Sequence, residues 1–208
     1  STARCSSGWT APRGGDASDG ATDQSAALRR GARLRRWPHS WVVIGPIASG
    51  KSSVATSLAE GLVARGSSVA LVDIDDVVFM SRAPGGGVDE LWARGRAVHG
   101  RLVGTWLDSG VDVVIAHGPA FTESETSALM SSVGQTVPVL RVLLTCPFDV
   151  ALQRVALDPD RIFSKDQEFL RRTYARFDEL MPTIPCDLTY RSDELDVHAI
   201  VSDLIGAV

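Results

Sequence analysis

Eight consecutive residues constrain this 208-residue chain more than anything else in it: Gly45-Pro46-Ile47-Ala48-Ser49-Gly50-Lys51-Ser52 satisfy the pattern G-x-x-x-x-G-K-[ST]. Each fixed position has a physical task. The two glycines let the backbone turn until its N–H groups point inward at phosphate oxygens. A helix starting at Lys51 adds the positive end of its dipole, so the cradle is expected to run from Gly45 through Ser53. Lys51 can reach the β- and γ-phosphates of ATP, and the Ser52 hydroxyl can ligate Mg²⁺. The flanks suit this reading. Trp41–Ile44 is an apolar run that enters the glycine turn. Lys51–Arg65 reads as a helix with Val54, Leu58 and Leu62 on one face and Gly66 as its stop.

Strand and helix signals alternate from there on, which predicts an α/β fold with a parallel sheet. Further strands are expected at Val69–Val72, Val111–Ala116, Val139–Thr145 and Asp187–Tyr190. Helices are expected at about 89–108, at Phe148–Ala156, at Lys165–Leu180 with Ser164 and Gln167 as a capping pair, and at the C-terminal end. The sum is a three-layer P-loop NTPase fold, a five-stranded parallel sheet with helices on both faces. It occupies residues 39–208, with a lid around 157–165.

Residues 1–38 read differently. They are rich in Gly, Ala, Ser and Arg and offer little apolar surface, so a disordered tail is expected. Residues 1–40 hold seven Arg and three Asp, a surplus of four positive charges. With a net charge of −4 for the whole chain, the rest stands near −8. An acidic body of this kind argues against nucleic-acid binding. No run approaches the ~20 apolar residues of a membrane span. Cys5, Cys146 and Cys186 are scattered and odd in number, which fits a reducing, cytoplasmic setting. Oligomeric state leaves no mark in the sequence.

The carboxylates separate the classes of P-loop protein. Many carry an aspartate at the end of the buried third strand, but here that strand runs into His117-Gly118-Pro119, and Asp112 lies at its other end. The second strand ends in acid instead: Asp73-Ile74-Asp75-Asp76. Strand alternation would put Asp73 and Asp75 on one side, near the phosphates. One of them could hold Mg²⁺ through water while the other takes the proton of an incoming hydroxyl; whether Asp75 or Asp76 is the base stays open.

Over about residues 41–205 the chain resembles small-molecule kinases typified by shikimate kinase and chloramphenicol phosphotransferase, and more distantly adenylylsulfate kinase. The resemblance implies transfer of the γ-phosphate of ATP to a hydroxyl of a small molecule, an antibiotic or a metabolite alcohol. It matches Asp75 to the carboxylate that meets the acceptor hydroxyl and Asp73 to the one near Mg²⁺. It also implies Arg154 beside the adenine, Arg161 as a lid residue that offsets phosphoryl charge, and Arg176 facing the acceptor. Arg96, Arg82 and His117 are further candidates for the acceptor side. Shikimate kinases carry three glycines where this chain has His117-Gly118-Pro119, which argues for a different acceptor. Two other readings stand: a nucleoside, nucleotide or adenylylsulfate kinase on the same fold, and an ATP-binding switch without an acceptor.

Overall fold

A computed structural model of the chain describes residues 40–81, 88–159 and 163–206. The tail expected over 1–38, Arg82, Arg161 and the middle of the expected lid lie outside the described residues. The five strands are β1 (Ser40–Ile44), β2 (Val69–Asp73), β3 (Val113–Gly118), β4 (Val139–Thr145) and β5 (Leu188–Arg191). They form one parallel sheet in the order β2-β3-β1-β4-β5.

β1 lies at the centre and is buried along its whole length, as its near-continuous apolar sequence requires. Alternation divides its side chains between two cores. Trp41 and Val43 join Val54, Ala55, Leu58 and Leu62 of α1 (Lys51–Val63), with Ile200, Val201 and Leu204 of α7 (Val197–Gly206). Val42 and Ile44 join the opposite layer. That layer is built from α2 (Ile74–Met80), α3 (Val88–Asp108), α4 (Glu123–Leu129) and Phe177 of α6 (Gln167–Leu180). A third cluster packs Ala151 and Val155 of α5 (Phe148–Leu157) and Leu170 and Tyr174 of α6 under Ala48. The three-layer α/β architecture expected from the sequence is therefore present.

Several boundaries differ for local reasons. The third strand runs from Val113 to Gly118, so His117 and Gly118 belong to it and do not follow it. Its start is set by Asp112, whose carboxylate accepts from the Ser68 backbone N–H and hydroxyl, both at 2.7 Å. α6 begins two residues later than expected. Asp166, not Ser164, caps it by accepting from the backbone N–H groups of Glu168 and Phe169.

Two short helices, α2 and α4, are absent from the sequence expectations. Asp73 caps α2 through its side chain and Asp75 and Asp76 fill the first turn, an N-terminal signature masked by the β-branched run that follows. Thr122 caps α4, accepting from the Glu125 N–H at 3.1 Å, while Glu125 Oε2 reaches back to the Phe121 N–H at 2.7 Å. Thr122-Glu123-Ser124-Glu125 is the T-x-x-E pattern that signals such a start.

Candidate active site

The loop between β1 and α1 is held open from behind. Gly45 has φ 150°, and a Cβ there would lie 2.1 Å from the carbonyl oxygen of Leu144, so only glycine fits. Ala48 sits in the left-handed region at φ 59° and Gly50 at 91°. Three carbonyls of the loop are tied by side chains. Lys51 Nζ donates to Pro46 at 2.6 Å, the Tyr174 hydroxyl to Ile47 at 2.8 Å and Arg154 Nη1 to Ala48 at 3.0 Å. The Ser49 N–H also donates to the Pro46 carbonyl, at 3.3 Å, which closes a turn inside the loop. Gly50 caps α1 without any side-chain hydrogen bond, leaving the first-turn N–H groups of Lys51, Ser52 and Ser53 without a side-chain cap. An oxyanion at this helix start would meet several donors and the dipole together.

Arg154, expected beside an adenine, has its guanidinium engaged structurally. Besides Ala48 it donates to Ser192 Oγ at 2.9 Å and to the Ser192 carbonyl at 2.6 Å, joining the loop to the turn after β5. Tyr174 also meets Cys146 Sγ at 3.2 Å. Burial, with that contact second, pushes the Tyr174 hydroxyl far above its ordinary pKa, so it remains a donor throughout the useful pH range.

The acids lie beside this loop at the C-terminal edge of the sheet. Asp73 and Asp75 are brought together by a helix cap and not by strand alternation. Asp73 ends β2, Asp75 opens α2, and the Asp75 N–H donates to Asp73 Oδ1 at 2.8 Å. Burial raises the Asp73 pKa; the bond from Asp75 and the charge of Lys51 act in the opposite sense. Asp75 is half-buried and Asp76 exposed.

His117 occupies the end of β3, where many P-loop proteins carry an aspartate. It is 3% exposed, and its Nδ1 lies 3.6 Å from Asp73 Oδ2. Burial first, then Lys51, lowers its pKa to about 4, which keeps the imidazole neutral at pH 7. The next residue, Gly118, is required by close approach, since a Cβ would fall 1.9 Å from Ile74 Cγ2. That contact seats the start of α2 on the end of β3. A second buried histidine, His99 of α3, faces the Val72 carbonyl through Nε2 (3.0 Å) and the Leu129 carbonyl through Nδ1 (3.2 Å). It ties α3 to the end of β2 and to α4.

Arg96 and Arg176, named separately from the sequence, converge on one carboxylate that sequence reasoning missed. Glu125 Oε1 lies 3.1 Å from Arg96 Nη2 and 3.7 Å from Arg176 Nη2. Arg96 stacks over Trp92, and Arg176 over Phe121, at 5.7 and 5.9 Å from the ring centroids. Glu125 follows β3 by only a few residues, so this cluster belongs to the same edge of the sheet as His117.

No protein-family model matches the chain, and no curated protein does. Solved structures do. A gluconokinase from Sinorhizobium meliloti 1021 aligns with a TM-score of 0.59 at 19% identity, covering 83% of this chain and 92% of that one. A shikimate kinase from Acinetobacter baumannii, in complex with shikimate, gives 0.56 at 18% identity, over 85% and 96%. A sugar kinase from Janibacter sp. HTCC2649 gives 0.55 at 18%, over 82% and 92%.

The fold is that of the P-loop small-molecule kinases. Within it, the phosphate cradle occupies the edge of β1 and the acids the edge of β2. Mg²⁺, which this fold commonly uses, suits the oxygens at hand. Such an ion keeps several waters and needs only one or two protein oxygens besides phosphates, and the Ser52 hydroxyl and the Asp73 carboxylate are oxygens of the kind that would hold it. Among the described residues there is no cluster of three or more His, Cys, Asp or Glu that would cage a metal unaided. Nor is any helix among them long and apolar enough to cross a membrane.

Proposed function

We propose that the protein is an ATP-dependent phosphotransferase that moves the γ-phosphate of ATP onto a hydroxyl of a small molecule. The observation that carries this reading is the pairing of two features at one sheet edge. A loop with its carbonyls tied by side chains leads into a helix start that has no side-chain cap, and at the end of β2 the Asp73 carboxylate caps the helix whose first turn carries Asp75. A bare nucleotide switch has no use for the second feature.

In this reading Lys51 exchanges its contact with the Pro46 carbonyl for phosphate oxygens, and N–H groups of the loop and of the first turn of α1, through Ser53, hold the β- and γ-phosphates. Mg²⁺, held by Ser52 and through water by Asp73, would offset phosphate charge when bound. The acceptor oxygen attacks the γ-phosphorus as its bond to the β-bridging oxygen breaks. Asp75 orients the attacking hydroxyl and receives its proton. Half-buried Asp75 suits that task better than Asp76, whose exposure leaves it solvated. Arg161 would offset charge from the lid. Arg96, Arg176, His117 and Arg82 are the candidates for the acceptor side, a gluconate-, shikimate- or sugar-like alcohol being the class that the structural neighbours suggest.

The test is acceptor-dependent ADP release from Mg·ATP, measured over a panel of sugars, sugar acids, cyclic alcohols, nucleosides and hydroxylated antibiotics. At least one class should raise the rate well above the background without acceptor. Tight nucleotide binding with a rate that no acceptor changes, together with a stable protein partner, would instead support the switch.

A further inference from the structure

The scheme above names His117 for the acceptor side and assigns no task to its Nδ1 atom. It is buried, has no hydrogen-bond partner, and points at Asp73 Oδ2 from 3.6 Å, slightly beyond hydrogen-bond length. Buried polar atoms are nearly always paired, so an orphan at this position needs a reason. The sheet supplies a geometric one. Asp73 and His117 are register partners on β2 and β3, and His117 in turn pairs with Val43 on β1, the strand that leads into the phosphate loop. His117 thus stands between the loop and the acid, with Lys51 as a charged neighbour.

We propose that His117 is the positioning residue for Asp73: its Nδ1–H holds Oδ2 while the Asp75 N–H holds Oδ1, so the carboxylate is fixed from both sides with lone pairs left for the metal-bound water. Each carboxylate oxygen has two lone pairs, so one donor on each leaves one free on each. A small rotation of the Asp73 carboxylate closes the remaining gap. The alternative on β3, a second acid, would set two carboxylates at adjacent register positions, where like charges oppose each other's ionisation. An imidazole sets a ring nitrogen that can donate at that position in place of a second carboxylate. Partners that orient a ligating carboxylate commonly change metal affinity by about 10–100-fold when removed. This inference rests on the nucleotide reading above and adds a residue to it.

Three variants of the full chain test it, by calorimetric titration with the non-hydrolysable analogue AMP-PNP in Mg²⁺ and in EDTA. In His117→Asn the amide nitrogen falls near the place of Nδ1; in His117→Gln it falls near Nε2; His117→Leu has no donor. The gain in affinity on adding Mg²⁺ should fall about tenfold in the Leu and Gln variants and be kept in Asn, with affinity in EDTA equal in all. An unchanged Mg²⁺ gain in all three overturns the proposal. So does a loss in Asn as large as in Leu, or an equal loss in EDTA. If the unsubstituted chain binds no AMP-PNP at all, the nucleotide reading fails, and that outcome is separate from any variant. One measurement needs no substitution: in ¹⁵N-histidine-labelled protein with Mg·AMP-PNP bound, His117 should carry its proton on Nδ1. A proton on Nε2 instead overturns the assignment even if no variant folds.

Discussion

The donor and acceptor ends of the candidate site are built from different materials. At the proposed donor end the phosphate contacts would come from backbone amides, and side chains tie the backbone of the loop: Tyr174 on Ile47, Arg154 on Ala48, Lys51 on Pro46. At the proposed acceptor end stand long side chains, Arg96 and Arg176, gathered on Glu125 and laid over Trp92 and Phe121. A backbone cradle recognises what every nucleoside triphosphate shares. A cluster of guanidinium and carboxylate groups is altered by single substitutions and can distinguish one small molecule from another.

Substitutions should therefore act differently at the two ends, and the largest effect belongs to the donor end. Gly45→Ala sets a methyl group against the Leu144 carbonyl, a backbone atom that cannot yield without moving β4. The expected cost is about 4 kcal/mol of stability with loss of nucleotide binding, measured by urea unfolding and AMP-PNP titration. A variant that binds the nucleotide normally would break the contrast, because the loop would then tolerate displacement.

The next effect lies at the seam between the ends. His117 titrates at about 4 in the folded chain against 6.5 in the unfolded one, because burial opposes its charge. As pH falls below 6.5 the unfolded chain binds the proton first. The stability this group contributes is therefore present above pH 6.5 and lost as pH approaches 4, on the order of 3 kcal/mol. His99 is shifted the same way by burial, while the raised pKa of Asp73 offsets part of the loss. Urea unfolding between pH 7 and pH 4.5 should show a shallower acid loss in His117→Asn than in the unsubstituted chain. Parallel profiles would remove His117 as the source.

The smallest effect is expected at the acceptor end. Glu125→Gln keeps an acceptor for the Phe121 N–H and removes the charge that gathers Arg96 and Arg176. Stability should fall by about 1 kcal/mol. AMP-PNP affinity should not change, and KM for an active acceptor should move while KM for ATP does not. A change in nucleotide affinity as large as the change in acceptor KM would show that the two ends are not separate.

How much of this was legible in the sequence follows the same division. The phosphate loop is contiguous, so Gly45 to Ser52 could be read directly, and the central strands could be read from their apolar runs. The pairing of Asp73 with Asp75 was foreseen for the wrong reason. A strand was extended through Ile74 where the chain in fact turns into a helix capped by Asp73. The short α2 and α4 helices bury few side chains, so periodicity over seven residues is weak and only their caps announce them. Glu125 could not be read as a partner of Arg96 and Arg176, because the three lie on α4, α3 and α6 and meet only in the fold. The register that sets His117 against Asp73 is likewise a property of the sheet.

The central claim is that donor binding and transfer are carried by separate groups at one edge, and Asp75→Asn tests it most directly. The substitution keeps the backbone N–H that donates to Asp73 and removes the proton acceptor. AMP-PNP affinity should stay within about twofold of the unsubstituted chain while acceptor-dependent ADP release falls by about 10²–10⁴-fold. ADP release at the unsubstituted rate would contradict it, and so would a loss of nucleotide affinity as large as the loss of transfer.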